Sequence, residues 1–309
     1  MKRFIFKFFL FLIPVFLFFL AMNALYERTN YWKSKDYANK YTDAPYDIEL
    51  GNVGSSIPCY ALKYDVAPEV KAWNFANVTE VYFWSYRVLK NYIGHLKPGA
   101  ALVIDIPLFG IIGRPTSFRE RYYRILPKED MDRWSFSEWL AYSKFPLLSS
   151  GRFKSKIFKD ISKEEMSSFY DRDETMTEEE FKAFAANAKG GWTQVFSEEN
   201  YKLNFSEVSA MIDLCHEHNV VPVLVTIPVL DILTDAYAAD PGFFETFERF
   251  TKELQDKYPG LVYLDYSRDE NFTKRHDYYM DSVHMNNAGA EEFTKTLVSD
   301  LRSRGLLSN

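Results

Sequence analysis

The sequence contains few of the residues that define several common protein classes. Only 2 of its 309 residues are cysteine, which excludes a small protein held together by disulfides and a zinc module built from several cysteines. Acidic residues outnumber basic ones by 43 to 37, so the formal net charge of −6 provides no general attraction for nucleic acid. Hydrophobic residues make up 47% of the chain, which excludes a disordered protein. The composition therefore predicts a folded protein without a nucleic-acid partner.

The first 26 residues are much more apolar than the rest of the chain. A basic start at Met1–Arg3 precedes an uninterrupted apolar run over Phe8–Met22. Extended back to Phe4, this stretch approaches the ~20 residues that cross a bilayer. A cleaved signal peptide is the alternative, but no clean small-residue cleavage site follows the run. We therefore expect residues 1–26 to form a single-pass anchor in the cell membrane, with the remainder of the chain outside the cytoplasm.

After a polar tether over residues 27–45, short apolar runs alternate with helical patterns. The apolar runs predict strands at 48–53, 70–75, 101–107, 220–227 and 261–266, and the helical patterns lie at 81–96, 205–218, 243–258 and 287–302. Continuous apolar strands separated by helices indicate a parallel sheet covered on both faces. Between residues 109 and 192 the alternation stops, which predicts a charged, mostly helical insertion with helices at 164–170 and 178–186. The predicted fold class is a three-layer α/β/α domain over residues 46–309.

A serine follows the first predicted strand, in the segment Gly54-Ser55-Ser56-Ile57-Pro58. A hydroxyl at a strand-to-helix turn is exposed at the sheet edge, beside the free N–H groups of the helix start. Pro58 suits the first turn of a helix, where its missing N–H would have had no partner. The segment is not a G-x-S-x-G elbow, because the following glycine is missing. A serine-rich helix cap remains the alternative interpretation.

A second segment follows the last predicted strand, where Asp281 precedes His284 by three residues. At this spacing the aspartate can accept a hydrogen bond from imidazole Nδ1 and leave Nε2 facing outward. A helix cap at Asn286 with a nearby single histidine is the alternative. The carboxyl ends of parallel strands share one sheet edge, so Ser56 is expected near Asp281 and His284. Together they would supply a nucleophile, an orienting acid and a base.

These motifs resemble those of the SGNH (GDSL-like) hydrolase superfamily. The resemblance rests on Gly54-Ser55-Ser56, on Asn74, and on Asp281-x-x-His284 with Asn286 and Gly289 after it. It covers most of residues 46–303 outside the insertion. It is strongest to the anchored extracytoplasmic branch, which includes the teichoic-acid D-alanyl transfer and alginate O-acetylation proteins. The resemblance implies a flavodoxin-like parallel sheet, with Ser56 as nucleophile, Asp281 as acid and His284 as base.

The sequence departs from the family at the oxyanion hole. The second motif lacks the family's glycine, so the resemblance leaves the backbone N–H groups of Ser56 and Thr79, with Asn74 beside them, as the candidate donors. The third motif lacks the family's Gly-x-Asn after the strand that ends near Ile106. These departures favour the alternative of a non-catalytic relative, which would bind carbohydrate or assist assembly in the cell envelope. The intact Ser56, Asp281 and His284 oppose it.

The resemblance implies a serine-dependent esterase or O-acyltransferase that uses an acyl-enzyme. An acyl group such as acetyl would pass to water or to a hydroxyl of a cell-surface polysaccharide or its precursor. The resemblance also implies a membrane-bound acyltransferase as a partner. The resemblance implies no cofactor.

Two other sequence patterns give weaker indications, one of a metal site and one of a disulfide. Cys215-His216-Glu217-His218 contains metal-ligand residue types, but His216 and His218 lie two residues apart on a predicted helix and so face different sides. We therefore expect no metal site. A disulfide between Cys59 and Cys215 would be possible outside the cytoplasm, but their spacing does not decide it.

Overall fold

The structure is a computed structural model that describes residues 2–29, 32, 38–78, 80–112, 119–149, 173–189, 197–239 and 242–308. Contacts between residues divide the chain into two units. Unit 1 comprises Met1–Thr42 and Arg119–Phe169, and unit 2 comprises Asp43–Phe118 and Tyr170–Asn309. Of the predicted insertion, the helix expected at 164–170 lies outside the described residues, whereas the helix expected at 178–186 is present.

Within the described residues of unit 2, one sheet contains five strands. They are β1 (Ile48–Val53), β2 (Ala72–Asn74), β3 (Leu96–Asp105), β4 (Val221–Thr226) and β5 (Val262–Asp265). All neighbouring strands run parallel, in the order β2-β1-β3-β4-β5, which is the flavodoxin-like order. The prediction of an α/β fold with a parallel sheet is therefore confirmed.

The α-helices of the described residues are numbered in chain order. They are α1 (Lys2–Tyr26), α2 (Asn39–Thr42), α3 (Ser56–Ala61), α4 (Tyr82–Tyr92), α5 (Phe136–Trp139), α6 (Pro146–Ser149), α7 (Glu178–Lys189), α8 (Glu198–Glu217), α9 (Asp231–Ala238), α10 (Phe243–Lys257), α11 (Glu270–Thr273) and α12 (Asn287–Ser303). Shorter 3-10 and π turns connect several of them. In unit 2, α4 contacts α8, α9 contacts α7, and α12 contacts α3.

The central strands owe their position to continuous apolar runs. Along β3, residues 100–104 are buried, and β4 is buried from Pro222 to its end. Strands buried on both faces need apolar side chains on both, which explains why these runs do not alternate with polar residues. The strand order reverses at β1, because the chain moves from β1 to β2 on one side and then returns to β3 on the other. The crevice outside the carboxyl ends of β1 and β3 is where α/β sheets of this kind bind ligands.

The largest differences from the predicted boundaries are at the starts of two elements. β3 begins at Leu96 rather than near Ala101, because Leu96 pairs with Ile48 across an irregularity in the ladder. α8 begins at Glu198 rather than near Phe205. Its N-terminus is capped by the Ser197 side chain, which accepts a hydrogen bond from the Asn200 N–H at 3.1 Å.

The helix α9 is one of those that the sequence did not predict. α9 begins after Leu230 without a side-chain cap and is only eight residues long. A helix this short is stabilised mainly by tertiary packing rather than by its own sequence. Its buried residues Leu233 and Tyr237 and its contact with α7 provide that packing.

The N-terminal apolar segment is helical in unit 1. α1 extends from Lys2 to Tyr26 and includes Pro14. Near its end, Asn23 Oδ1 accepts a hydrogen bond from the Leu147 N–H at 3.2 Å. No helix in the described part of the chain is long and apolar enough to cross a membrane. The membrane anchor predicted over residues 1–26 is therefore not confirmed.

The two cysteines are not joined. Cys59 lies in α3 and Cys215 in α8, and each is a buried thiol without a disulfide. The disulfide that the sequence left open is therefore not formed in this structure.

Candidate active site

The turn between β1 and α3 places Ser56 at the carboxyl edge of the sheet. Gly54 has φ +138°, and a Cβ there would lie 2.9 Å from Asp105 Cβ and 2.8 Å from Pro58 Cγ. Only glycine fits this position, because a side chain would be both strained and blocked. Ser55 then caps α3 by accepting a hydrogen bond from the N–H two residues further on. Ser56 is the first residue of α3 and is half-buried.

The loop between β5 and α12 holds Asp281 and His284 in a tight turn. Asp281 Oδ1 accepts hydrogen bonds from the backbone N–H groups of Val283 and His284, each at 2.8 Å. An aspartate that bonds to N–H groups two and three residues further on stabilises its own turn. At the end of the loop, Asn286 caps α12 by accepting from the Gly289 N–H at 3.1 Å. The turn and the helix cap thus fix the two predicted catalytic side chains.

The structure brings Ser56, His284 and Asp281 into one chain of hydrogen bonds. His284 Nε2 lies 2.7 Å from Ser56 Oγ, and His284 Nδ1 lies 2.8 Å from Asp281 Oδ2. Because a carboxylate only accepts, Nδ1 carries a proton and donates to Asp281, and Nε2 accepts from the Ser56 hydroxyl. The Tyr60 ring packs edge-on against the imidazole with 5.1 Å between ring centroids. This arrangement prepares His284 to remove the serine proton.

The electrostatic environment keeps Asp281 charged. Burial alone would raise the pKa of this carboxyl. The hydrogen bond from His284 and its electrostatic attraction, together with the backbone N–H groups of Val283 and His284, outweigh burial and bring the pKa of Asp281 below its ordinary value. At neutral pH, Asp281 is therefore an anion that can orient the imidazole and stabilise its protonated form.

Asn74 has a different place from the one predicted. Its Nδ2 donates to the backbone carbonyls of Pro58, at 2.9 Å, and Leu62, at 3.0 Å. Its Oδ1 accepts from Asn52 Nδ2 at 2.8 Å and from the Ala76 N–H at 3.0 Å. The side-chain amide of Asn74 thus links β1, β2 and α3 through its hydrogen bonds. It has a structural role and directs no donor to Ser56.

The remaining oxyanion candidates are the backbone N–H groups of Ser56 and Thr79. Thr79 lies outside the described residues. Ser56 begins α3, where backbone N–H groups have no acceptor within the helix. Of the three predicted oxyanion residues, Ser56 is thus the one whose backbone N–H lies at a helix start in the described chain.

A cavity of about 590 Å³ opens in front of the three residues, and we call it the triad cavity. Besides Ser56, Asp281 and His284, its lining includes Tyr60, Val78, Glu174, Thr175, Met176, Glu180 and Met280. The sequence did not identify the lining residues at 174–180, because they belong to the predicted insertion and reach the site only through long-range folding. Hydrogen bonds from the last loop and α12 hold this segment: Ser282 Oγ donates to Phe181 O, Asn286 Nδ2 to Thr175 Oγ1, and Asn287 Nδ2 to Asp173 Oδ1.

The described residues contain no group of three or more histidine, cysteine, aspartate or glutamate side chains that could hold a metal ion. His216 and His218 lie at the end of α8, and no such group forms around them.

Comparisons with known proteins find only weak similarity to solved structures. No family model matches the chain, and no curated protein matches it. Similar solved structures include a proposed acylhydrolase from Bacteroides fragilis, with 11% identity and a TM-score of 0.42 over 87% of this chain and 95% of that one. A GDSL-like lipase from Bacteroides thetaiotaomicron has 8% identity and a TM-score of 0.42, over 87% of this chain and 99% of that one. A proposed platelet activating factor from Streptococcus pneumonia has 12% identity and a TM-score of 0.41, over 86% of this chain and 89% of that one.

Similarities this low do not support an inference about activity.

Proposed function

We propose that this chain is a serine-dependent ester hydrolase or O-acyltransferase of the SGNH type. The observation that carries the proposal is the continuous hydrogen-bond chain from Ser56 through His284 to Asp281. A nucleophile bonded to a base, which is itself oriented by a third group, is the arrangement that activates a serine hydroxyl for covalent catalysis. A serine that served only as a helix cap would not require this arrangement.

Acylation would begin with attack of Ser56 Oγ on the carbonyl carbon of an ester. As the new C–O bond forms, the Ser56 proton moves to His284 Nε2, and Asp281 stabilises the resulting imidazolium. The tetrahedral intermediate then collapses, the bond to the leaving alcohol breaks, and His284 returns the proton to that alcohol. The product is an acyl-serine ester and a free alcohol.

Deacylation would reverse these roles with a new acceptor. Water or a carbohydrate hydroxyl gives its proton to His284 Nε2 and attacks the acyl carbon. The intermediate collapses, Ser56 Oγ leaves and recovers the proton. The nature of the acceptor decides whether the enzyme acts as a hydrolase or as a transferase.

The lining of the triad cavity supports a carbohydrate acceptor. At about 590 Å³ it has room for more than a small ester, and Glu174, Thr175 and Glu180 line it with polar groups. Carboxylates accept hydrogen bonds from sugar hydroxyls, and a threonine hydroxyl can both accept from them and donate to them. We propose a cell-surface polysaccharide or its precursor as the acceptor and a membrane-bound acyltransferase as the partner that supplies the acyl group.

A fluorophosphonate probe tests the proposed nucleophile. The probe reacts with activated serines, so the wild-type chain should be labelled, and Ser56→Ala should abolish the label. Ser55→Ala provides the matched control, because it removes the adjacent capping hydroxyl and should leave labelling intact. If Ser56→Ala keeps the label, or if the wild-type chain is not labelled, a non-catalytic carbohydrate-binding or assembly role becomes the better proposal.

Small esters should be poor substrates unless a sugar acceptor is present. Loss of one oxyanion donor lowers the rate by roughly 10²–10³-fold in a serine protease, and Asn74 supplies none here. A bound acceptor can offset part of this loss through positioning. We expect slow hydrolysis of p-nitrophenyl acetate, and net transfer of acetyl to soluble oligosaccharides when these are added. Mass spectrometry of the sugar, alongside the free acid released, measures the ratio.

Fast hydrolysis that no added oligosaccharide changes would instead identify a plain esterase. The variant Glu174→Gln tests the proposed acceptor site. It removes a charge from the triad cavity and should lower acetyl transfer to the oligosaccharide more than hydrolysis of the ester.

A location outside the cytoplasm is also part of the proposal. It is supported only by the apolar sequence of residues 1–26 and its basic start. Protease added to intact cells should digest the region after Tyr26, and full protection beside a digested external control would contradict this location.

A further inference from the structure

The exposed apolar side chains of the described chain are concentrated in unit 1. Every residue from 10 to 18 of α1 is exposed, and the side chains of Phe11 and Phe18 are 66% and 67% exposed. Outside α1, the described residues expose only three large hydrophobic side chains, which are Tyr46, Phe136 and Leu203. Of these, Phe136 belongs to unit 1 and is 62% exposed. Unit 1 thus presents apolar surface at two places, on α1 and around Phe136.

The exposed stretch of α1 is apolar around its whole circumference. Residues 10–18 are all leucine, phenylalanine, isoleucine, valine or proline, and they complete about two and a half turns of a helix, so they point to every side. A groove in another protein would cover one side of such a helix and leave the others in water. Lipid chains surround a helix on all sides, so lipid is the covering that fits this distribution. Entry into lipid does not require that α1 crosses it.

Phe136 belongs to a partly exposed cluster of three aromatic rings, Trp134, Phe136 and Trp139, which we call the aromatic patch. Their ring centroids lie between 5.7 and 6.5 Å apart. Lys128 Nζ lies 5.0 Å from the centroid of the Trp134 ring, and Lys144 Nζ lies 5.5 Å from that of Trp139. Tryptophan with lysine beside it is typical of the boundary between lipid chains and water, because both side chains combine an apolar body with a polar end.

The charges around the aromatic patch almost balance. The segment 128–144 contains three basic and four acidic residues. Arg119 adds a cation, because its guanidinium donates two hydrogen bonds to the carboxylate of Asp132. A nearly neutral surface with charges of both signs fits a zwitterionic phospholipid headgroup and does not require an anionic lipid.

The aromatic patch lies close to the exposed stretch of α1. The π turn Leu140–Lys144 connects Trp139 to Phe145, and the rings of Phe145 and Phe19 lie 5.3 Å apart. Six steps along a helical path rise only about 9 Å. Phe19 directly follows the exposed residues of α1 and is itself only half-exposed. The patch is therefore near the level at which the exposed apolar stretch ends.

We propose that the aromatic patch is a lipid-contact surface, which rests in the headgroup region of a phospholipid bilayer whose apolar side covers residues 10–18 of α1. Aromatic side chains with lysines at the end of an apolar helix are the arrangement found at such a boundary. This contact is independent of the chemistry at Ser56. It adds a surface to the location proposed above, for which the sequence of residues 1–26 was the sole support.

A fluorescent probe at position 136 tests the contact. The variant Phe136→Cys receives a nitrobenzoxadiazole probe on its new thiol, and the native Cys59 and Cys215 are buried and should react little. The labelled full chain is reconstituted in phosphatidylcholine vesicles, with or without phosphatidylcholine that carries a nitroxide on its headgroup. A nitroxide quenches only a fluorophore close to it, so the probe at position 136 should lose most of its fluorescence in the nitroxide vesicles.

Leu203→Cys is the matched control. Leu203 is also an exposed apolar residue, but it lies on α8 in unit 2, so a probe there should keep its fluorescence. Replacing both tryptophans of the patch with serine should remove most of the quenching at position 136. Replacing both with phenylalanine should retain most of it, because phenylalanine keeps an apolar ring. Thermal unfolding checks each variant, and Ser137→Cys, at the next exposed position, replaces Phe136→Cys if that variant does not fold.

No quenching at position 136, or equal quenching at positions 136 and 203, would overturn the lipid contact. Disulfide-linked dimers of unlabelled Phe136→Cys, together with an unquenched probe in the labelled chain, would also overturn it and would identify a second copy as the partner of the patch. Quenching at position 136 that both serine replacements leave unchanged would show that the tryptophans do not form the contact, which contradicts the proposal.

Discussion

Replacing His284 with alanine should lower kcat/KM for p-nitrophenyl acetate by roughly 10³–10⁶-fold. The imidazole is the base that lies 2.7 Å from Ser56 Oγ, and an unassisted serine hydroxyl is a weak nucleophile at neutral pH. The measurement is steady-state hydrolysis by purified wild-type and variant chains, with thermal unfolding as the check on folding. His216→Ala is the matched control, because it removes a histidine from the end of α8 and should retain wild-type turnover.

Wild-type turnover in His284→Ala would show that the assigned base is wrong. Equal losses in His284→Ala and His216→Ala would point to a general effect of histidine removal on the fold. Ser56→Ala and the double variant should be no worse than His284→Ala alone, because residues that act as one unit are not additive.

Replacing Asp281 with asparagine should lower kcat/KM by roughly 10²–10⁴-fold, equal to or less than the loss in His284→Ala. The aspartate orients the imidazole but does not exchange the proton itself. Asparagine offers an N–H toward Nδ1, which favours the wrong tautomer and removes the anion that stabilises imidazolium. Asp269→Asn is the matched control, since Asp269 also accepts a backbone N–H, from Asn271 at 2.9 Å, but caps α11 away from the site.

The same variant should change stability with a defined pH dependence. The pKa of Asp281 is lowered in the folded chain, so its carboxylate stabilises the fold above the ordinary pKa of 3.8 and loses this effect as the pH falls. The gap in unfolding free energy between the wild type and Asp281→Asn should therefore be largest near neutral pH, at about 1–3 kcal/mol, and should shrink in acid. Urea unfolding at several pH values measures it, and a gap that widens in acid would contradict the assignment.

Much of the sheet could be predicted because its strands are continuous apolar runs. Ala101 to Ile106 and Val220 to Ile227 contain almost no polar residues, and only a parallel, doubly covered sheet uses such strands. The short helix α9 could not be predicted, because it depends on packing against α7 rather than on a cap or a long periodic pattern. The early start of β3 likewise depends on pairing of Leu96 with Ile48, a contact that local sequence does not encode.

The candidate site was predictable where local turns define it. Ser56 follows a strand and starts a helix, and Asp281 and His284 share one turn, so a short segment fixes each geometry. Asn74 was assigned to the oxyanion hole from motif position, but its hydrogen bonds to α3 show a structural role.

The presence of Glu174 and Glu180 in the triad cavity could not be predicted from local sequence, because both belong to the predicted insertion and reach the cavity only in the folded chain.

The most direct test of the central proposal is to trap the acyl-enzyme. The purified chain is mixed with p-nitrophenyl acetate, quenched in acid within the first turnover, digested and analysed by tandem mass spectrometry. We predict a peptide containing residues 54–61 that carries one acyl group on Ser56, accompanied by release of one equivalent of p-nitrophenol, and no such peptide in Ser56→Ala. An acyl group on another residue, or full turnover in Ser56→Ala, would contradict the assignment of Ser56 as the nucleophile.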